Sequence, residues 1–200
     1  MIHHRFQALD PDLTSDRLLI GSVLIEGGLM LSVTLPIGRS EDVGDLSFSP
    51  NAFIRIDNVG QVFLTLPCME RDEDDHALLL VAEELEVGPN QVHLEQAVPS
   101  ERPSSKATLD VRADSNLNAV RNAWKPLREV SATARAMLIA AAAKRWDVDA
   151  RVCQAYDGEV IHTATWRKLS YGQLAAEAAR EAIPRGVELK RRAATALRQA

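Results

Sequence analysis

The stretch that decides the fold is residues 50–82, PNAFIRIDNVGQVFLTLPCMERDEDDHALLLVA. Apolar residues flank a turn at residues 57–60, a pattern that predicts a β-hairpin with one buried face. They are Phe53, Ile54 and Ile56 on the first arm, and Val62, Phe63, Leu64 and Leu66 on the second. Acidic residues then precede an apolar stretch, which predicts a helix from about Asp74. The order is therefore hairpin, short loop and helix.

This predicted helix has an apolar side and an acidic side. Its apolar positions are Leu78, Val81, Ala82 and Leu85, while Glu83, Glu84 and Glu86 are expected to point mainly outward. Gly88 and Pro89 are expected to end it. A short strand is predicted over residues 91–98, followed by an exposed loop.

The longest predicted helix spans residues 118–146 and is rich in alanine. Pro126 is expected to kink or restart it. Its buried stripe is predicted to contain Val130, Ala134, Met137, Leu138 and Ala141. A second hairpin is predicted around the Asp157-Gly158 turn, and then a short helix with Ser170 as its N-cap. The expected fold is α+β, with two β-hairpins and a short strand packed against two or three helices.

Composition limits the class of protein. The chain has 200 residues, is 46% hydrophobic and 26% charged, and carries a formal net charge of -5, so it can form a compact core and has no basic surface for nucleic acid. Cys68 and Cys153 are far apart and fit neither a zinc site nor a disulfide framework, so two buried thiols are expected. No catalytic residue and no metal ligand set is predicted, because His76, His93 and His162 are widely separated.

Three regions are predicted: a signal-like apolar segment and linker at residues 1–47, an α+β domain at residues 48–190 and a basic tail at residues 191–200. Residues 18–36 are mostly apolar but contain Glu26, and acids oppose the preceding arginines, so neither a stable membrane span nor a working export signal is expected. A cytoplasmic location follows, with the periplasm as the alternative if the signal still works. Trp124, Trp146 and Trp166 are expected to anchor the core or its edge.

Six segments, in order, resemble the N-terminal portion of the molybdopterin-binding large subunits of molybdenum hydroxylases, including the isoquinoline 1-oxidoreductase, aldehyde dehydrogenase and xanthine dehydrogenase types. They are residues 50–57, 79–87, 91–97, 119–150, 152–162 and 167–175. The resemblance implies an oxidoreductase whose cofactor is molybdopterin and whose partners are the remaining large-subunit domains and an iron–sulfur small subunit. It also implies that Ser15, Asp16 and Arg17 are the remnant of a twin-arginine signal in which Asp16 replaces one arginine.

The cofactor loop of these subunits reads Met-Gly-Gln-Gly, and at that position this chain has Met69, Glu70, Arg71 and Asp72. The resemblance makes Met69 and Arg71 the cofactor-binding positions, although the Gly-Gln-Gly is not retained. Residues 70–75 contain five acids and one arginine, a local charge of about -4 that would repel an anionic cofactor. Arg71 could pair with a phosphate, but its acidic neighbours favour an internal salt bridge. The acids themselves favour a role at the helix N-terminus.

A second glycine-rich landmark of the family aligns with residues 115–119, where this chain has no glycine. The small residues that face the cofactor are thus replaced in both places, while the helical framework around them is kept. The sequence therefore predicts a truncated molybdopterin-binding subunit that is inactive alone. The alternative is a non-catalytic scaffold or interaction domain derived from the same family.

Overall fold

The structure, a computed structural model, describes residues 5–8, 19–25, 28–33, 52–66, 71–96 and 116–190. Strands and helices alternate unevenly along these ranges, and the predicted α+β class is confirmed. In chain order the elements are β1 Arg5–Ala8, β2 Leu19–Ile25, β3 Gly28–Val33, β4 Ala52–Ile56, β5 Val62–Leu66, α1 Arg71–Leu85, β6 Val92–Gln96, α2 Asn116–Trp146, β7 Cys153–Tyr156, β8 Glu159–His162, β9 Lys168–Ser170 and α3 Tyr171–Ala178.

The larger sheet has the strand order β1-β2-β3-β4-β5-β6. Neighbouring strands from β1 to β5 are antiparallel, and the predicted hairpin is confirmed as β4 and β5, with Ile54 opposite Leu64. In contrast, β5 and β6 are parallel and are joined through α1. This parallel pair requires a crossover, which α1 supplies, so β5, α1 and β6 form a βαβ unit.

Strands β2 and β3 lie inside the segment that was expected to be signal-like. They pair with each other, and β3 continues the sheet beside β4, with Leu29 opposite Ile56 and Leu31 opposite Ile54. Leu29 and Leu31 are almost completely buried. An apolar run of this length fits a pair of strands as well as a signal segment, so composition alone does not separate the two interpretations. The domain boundary at residue 48 stays a prediction, since residues 34–51 lie outside the described chain.

The helices cover one face of the larger sheet. The sheet contributes to the core Leu29, Leu31, Ile54, Ile56, Val62, Leu64, Leu66 and Val92. From α2 the predicted stripe is confirmed, since Val130, Ala134, Met137, Leu138 and Ala141 are all buried. Alanines at the contact let the α2 backbone lie close to its neighbours, and the resulting apolar burial is the main source of stability.

Both long helices end in a left-handed residue that is not glycine. Glu86 follows α1 with φ 57°, and Val87 N–H donates to the Ala82 carbonyl at 3.1 Å. Asp147 follows α2 with φ 55°, and Val148 N–H donates to the Ala143 carbonyl at 3.0 Å. These bonds satisfy carbonyl groups at the helix ends. The α1 helix thus ends before Gly88, and α2 continues through Pro126 without restarting.

The second sheet has the order β7-β8-β9 and packs against α2. The predicted hairpin turn is confirmed, with positive φ at Asp157 and Gly158. Gly158 N–H donates to the Glu86 carbonyl, and the Gly158 carbonyl accepts from Tyr171 N–H, both at 2.9 Å. The predicted N-cap is also confirmed, because the Ser170 side chain accepts from Gln173 N–H in a capping box.

One predicted anchor is wrong. Trp166 is 74% exposed and has φ 58°, so it lies in the turn before β9 and not in the core. Trp146 is half-buried, with the Arg167 guanidinium 5.5 Å from its ring. Trp124 is also half-buried. The size of a tryptophan favours the core or its edge. Residue spacing does not reveal that Trp166 lies before β9 with a positive φ.

Candidate functional site

The candidate cofactor loop lies between the carboxyl end of β5 and the start of α1. In a parallel βαβ unit, this end of the strand and the adjoining helix N-terminus form the usual ligand crevice. Arg71 is the first residue of α1, whereas Met69 and Glu70 lie outside the described residues. The assignment of Met69 and Arg71 as cofactor-binding positions therefore stays a prediction. The described elements on the two sides, β5 and α1, are the strand and the helix that the sequence predicted.

The starts of α1 and α2 lie at the same end of the helix pair. Near the start of α1, the His76 ring stacks on Trp124 of α2, with ring centroids 4.3 Å apart. About 12 Å further along α1, Glu84 meets Arg128 and Arg135, which are later residues of α2. The two helices therefore run in the same direction. The described first residues of α1 and α2, Arg71 and Asn116, consequently lie at the same end of the helix pair.

The acidic sequence at the start of α1 is expected to oppose an anionic pterin cofactor, and this expectation stays a prediction. Because α1 begins at Arg71, its first turn contains Asp72, Glu73 and Asp74, and Asp75 follows as an exposed residue. Carboxylates are acceptors of hydrogen bonds and repel phosphate, while the same groups interact favourably with the positive end of the helix dipole. The chemistry of this turn suits helix stabilisation, so no reaction step through molybdopterin follows from these residues.

A buried charge cluster at the other end of α1 was missed. Glu84 is 1% exposed, whereas it was expected to face solvent, and that expectation is wrong. Its carboxylate accepts from Arg128 Nε at 2.7 Å and from Arg135 Nη1 at 3.4 Å. Arg135 also donates to the Glu84 carbonyl. A buried carboxylate is tolerated only with such charged and hydrogen-bonding partners.

A signal for this cluster was present in the sequence. Glu84 follows Leu80 and Val81 at helical spacing, so it lies on the apolar stripe of α1 and not opposite it. On α2, Arg128 and Arg135 are two turns apart and therefore share a face. A charged residue on a buried stripe implies an opposite charge on the partner helix. The acidic side chain of Glu84 suggests exposure to solvent, whereas its position on the helix indicates burial, and the position is decisive.

Beside this cluster, Tyr171 is fully buried and donates its hydroxyl to the Leu85 carbonyl at 2.5 Å. Burial raises the pKa of the Tyr171 phenol; Glu86 acts in the same direction and Arg135 against it. The phenol is therefore a neutral donor that satisfies a carbonyl at the end of α1. Its role is structural, because the bond is made to the backbone of the protein itself.

Cys153 and His162 face each other across the β7–β8 pair and are both buried. Burial raises the pKa of the Cys153 thiol; Arg167 lowers it and Asp149 raises it. A protonated thiol is a poor nucleophile. His162 Nδ1 lies 2.6 Å from Thr165 Oγ1, so this histidine holds a turn. The expectation of a buried thiol is confirmed for Cys153, while Cys68 lies outside the described residues.

Two further histidines of the described residues, His76 and His93, are also held by neighbouring side chains. His93 is exposed and its Nε2 lies 2.7 Å from Gln61 Oε1, while His76 stacks on Trp124. Among the described residues, no group of three histidines, cysteines or acids is placed to hold a metal ion. None of the helices in the described chain is long and apolar enough to span a membrane.

No protein-family model matches the sequence. Over an alignment of 134 positions, the chain is 31% identical to the isoquinoline 1-oxidoreductase subunit beta of Brevundimonas diminuta. The alignment covers 64% of this chain and 17% of that relative, so the chain spans only a small part of the relative's length. The crystal structure of quinoline 2-oxidoreductase from Pseudomonas putida 86 aligns over 68% of this chain and 17% of that chain, at 16% identity. Its TM-score is 0.43, which is too low to establish a common fold. This chain is therefore similar in sequence to part of an oxidoreductase subunit, and that similarity supports a relationship to the molybdenum hydroxylases.

Proposed function

We propose that this chain corresponds to the N-terminal portion of a molybdopterin-binding subunit of a molybdenum hydroxylase, of the aldehyde or isoquinoline oxidoreductase type. The similarity to an isoquinoline 1-oxidoreductase subunit supports the family. In this proposal the chain supplies scaffold, and other large-subunit domains and an iron–sulfur subunit supply the rest of the enzyme. The chain does not catalyse the reaction alone.

The observation that carries the lack of independent catalysis is the acidic first turn of α1. Residues 70–75 combine five acids with Arg71, where the family has small residues close to an anionic cofactor. At the same time the carboxyl end of α1 keeps specific contacts. The Glu84 carboxylate accepts from Arg128, and the Leu85 carbonyl accepts from the Tyr171 hydroxyl. Retained packing beside changed chemistry also favours the second candidate, a non-catalytic scaffold or interaction domain.

Metal analysis separates the two candidates. The chain is purified alone, and also after coexpression with the remaining large-subunit domains and the iron–sulfur subunit of a relative, and molybdenum per chain is measured by mass spectrometry. We expect no stoichiometric molybdenum on the isolated chain. Molybdenum in the coexpressed complex would support the enzyme component, and a folded complex without molybdenum would support the scaffold. Stoichiometric molybdenum on the chain alone would contradict the proposal.

A loop variant tests the same proposal directly. Replacing Glu70→Gly, Arg71→Gln and Asp72→Gly restores the family's loop sequence and changes the net charge by +1. A matched control is Glu83→Gln, which makes the same charge change at an exposed position of α1. In the coexpressed complex we expect more molybdenum with the loop variant than with the control. Equal molybdenum in the loop variant and in Glu83→Gln would show that the loop sequence is not the reason for weak cofactor binding.

The cytoplasmic location belongs to the same proposal. It rests on Asp16, which occupies the place of an arginine in the signal that the family uses, and on Glu26 within the apolar run. Cell fractionation with an antibody to the C-terminal tail measures it. A shortened periplasmic form cleaved between about residues 36 and 47, a typical position after such a run, would contradict it.

A further inference from the structure

Beyond α3, the described chain returns to the helix pair as an extended segment, here called the strap, residues 187–190. Three of its backbone groups are bound by side chains of α1 and α2. Arg135 Nη2 donates to the Glu188 carbonyl at 3.0 Å, and Arg128 Nη2 donates to the Lys190 carbonyl at 2.5 Å. Lys190 N–H donates to Glu84 Oε2 at 3.2 Å. The strap is thus held mainly through its main chain.

The charge count explains why the cluster needs the strap. Two guanidinium groups and one carboxylate leave a formal excess of one positive charge around Glu84, and each guanidinium has five N–H donors that require acceptors. The side chains of Arg128 and Arg135 are only 19% and 13% exposed, so protein acceptors are needed for part of these donors. The two strap carbonyls provide two such acceptors, and Glu84 accepts in return from the strap N–H.

We infer that Glu84, Arg128 and Arg135 form an anchor that binds the strap through its backbone and fixes its position against α1 and α2. On the N-terminal side of the strap, the side chain of Ile183 is buried in the core and holds the preceding part of the chain. The Lys190 side chain adds an ion pair with Glu86. This inference is independent of the proposed function, because it concerns the path of the chain and requires no cofactor.

The competing explanation is that the cluster only joins α1 to α2 and that the strap is incidental. Lys190→Pro distinguishes the two, because it removes the strap N–H that donates to Glu84 and leaves all three anchor side chains in place. Lys190→Ala is the matched control, since it removes the ion pair with Glu86 but keeps that N–H. Both substitutions are made in the full chain.

The measurements are cleavage of the Glu188–Leu189 bond by a glutamate-specific protease and, in chains that keep the N–H of residue 190, hydrogen exchange of that amide. A hydrogen bond to a charged group holds this segment, so its loss in Lys190→Pro should raise the cleavage rate about tenfold or more, as proteolysis follows the population of the open form. For Lys190→Ala we expect a change of less than about threefold, as for a partly exposed ion pair.

Two results would overturn the anchor. One is equal cleavage of the two variants at Glu188. The other is a parallel loss of amide protection in β4 and β5, which would make Lys190 N–H part of the global stability of the domain. Arg135→Gln provides an independent check: faster exchange of the Lys190 amide with unchanged protection in β4 and β5 supports the anchor, and unchanged exchange of that amide contradicts it.

Discussion

The two ends of α1 differ in what their residues contact. At the carboxyl end, Glu84 is bound by two arginines, Leu85 accepts from a buried tyrosine and Glu86 accepts from the Gly158 turn. At the amino end, the first turn consists of Arg71 and acids, and the exposed Asp75 follows. The contacts at the carboxyl end join distant parts of the chain and neutralise a buried carboxylate, whereas the amino end is distinguished by the local charge of its first turn.

This difference teaches which part of the molecule tolerates change. Contacts at the packed end are buried and depend on several partners, so a substitution there removes more than one interaction. The acidic end interacts with the helix dipole, an effect that is small and screened by salt. Chemistry can therefore be lost at the acidic end at little cost in stability, and this is where the sequence departs from the family that it resembles.

The largest expected effect is that of Glu84→Ala. Removing the carboxylate leaves the guanidinium groups of Arg128 and Arg135 partly buried without their counter-ion, so the free energy of unfolding should fall by about 3 to 5 kcal/mol. Urea unfolding followed by circular dichroism measures it. The control is Glu83→Ala, an exposed acid on the same helix, for which we expect a change within about 0.5 kcal/mol. Equal effects of the two substitutions would abolish the contrast between the two ends.

Gly172→Ala should have the next largest effect. A Cβ at this position would lie 2.4 Å from the Asn58 carbonyl oxygen and 2.7 Å from Gly60 N, both backbone atoms of the turn between β4 and β5. Overpacking of this kind costs about 1 to 3 kcal/mol, and we expect the upper part of that range. In Gly186→Ala the added Cβ meets no atom within 4 Å but φ is +63°, so about 1 kcal/mol is expected. Thermal unfolding of both variants would show whether close backbone approach dominates over backbone conformation.

Tyr171→Phe should cost about 1 to 2 kcal/mol, because the Leu85 carbonyl loses its donor in a buried place. The same variant tests the pKa. Burial raises the pKa of the Tyr171 phenol above the ordinary value of 10.0, so the folded state keeps a proton that the unfolded state releases. The stabilisation is fully present below about pH 10 and decreases as the pH rises above it. Urea titrations between pH 8 and 11 should show a steeper loss in the parent chain than in Tyr171→Phe, and parallel curves would contradict the assignment.

The smallest effect is expected at the acidic end. Asp74→Asn removes one acid from the first turn of α1 and should destabilise the protein by about 0.3 to 1 kcal/mol at low salt. Glu83→Gln removes an exposed acid near the other end of the same helix, where it opposes the dipole, so it should be neutral or slightly stabilising. Unfolding at low and high salt measures both. Effects of the same sign, unchanged by salt, would exclude the dipole as the reason for the acids.

Much of the fold could be predicted because local signals and burial agree. The β4–β5 hairpin, the buried stripe of α2, the Asp157-Gly158 turn and the Ser170 cap each follow from residue type and spacing. Strands β2 and β3 were not predicted, because an apolar run with few charges has no periodicity that separates a signal segment from buried strands.

The candidate site was predicted less completely than the fold. Its place between β5 and α1 followed from the hairpin and the helix signal, but whether Met69 and Arg71 contact a cofactor depends on contacts that sequence spacing does not supply. The spacing on α1 signals that Glu84 is buried, but it does not identify the partners, which lie more than forty positions away on α2 and in the strap. Trp166 was misplaced because a positive φ at a tryptophan has no signal in residue type.

The turn at Gly158 has a consequence for how the protein unfolds. Its N–H donates to the residue after α1 and its carbonyl accepts from the first residue of α3, so a single residue in the β7–β8 turn connects three separate parts of the chain. The smaller sheet cannot open while α1 and α3 remain in place, and these helices carry part of the core of the larger sheet. The two sheets should therefore belong to one cooperative unfolding unit, and the amides of β5 and β8 should exchange with closely similar free energies.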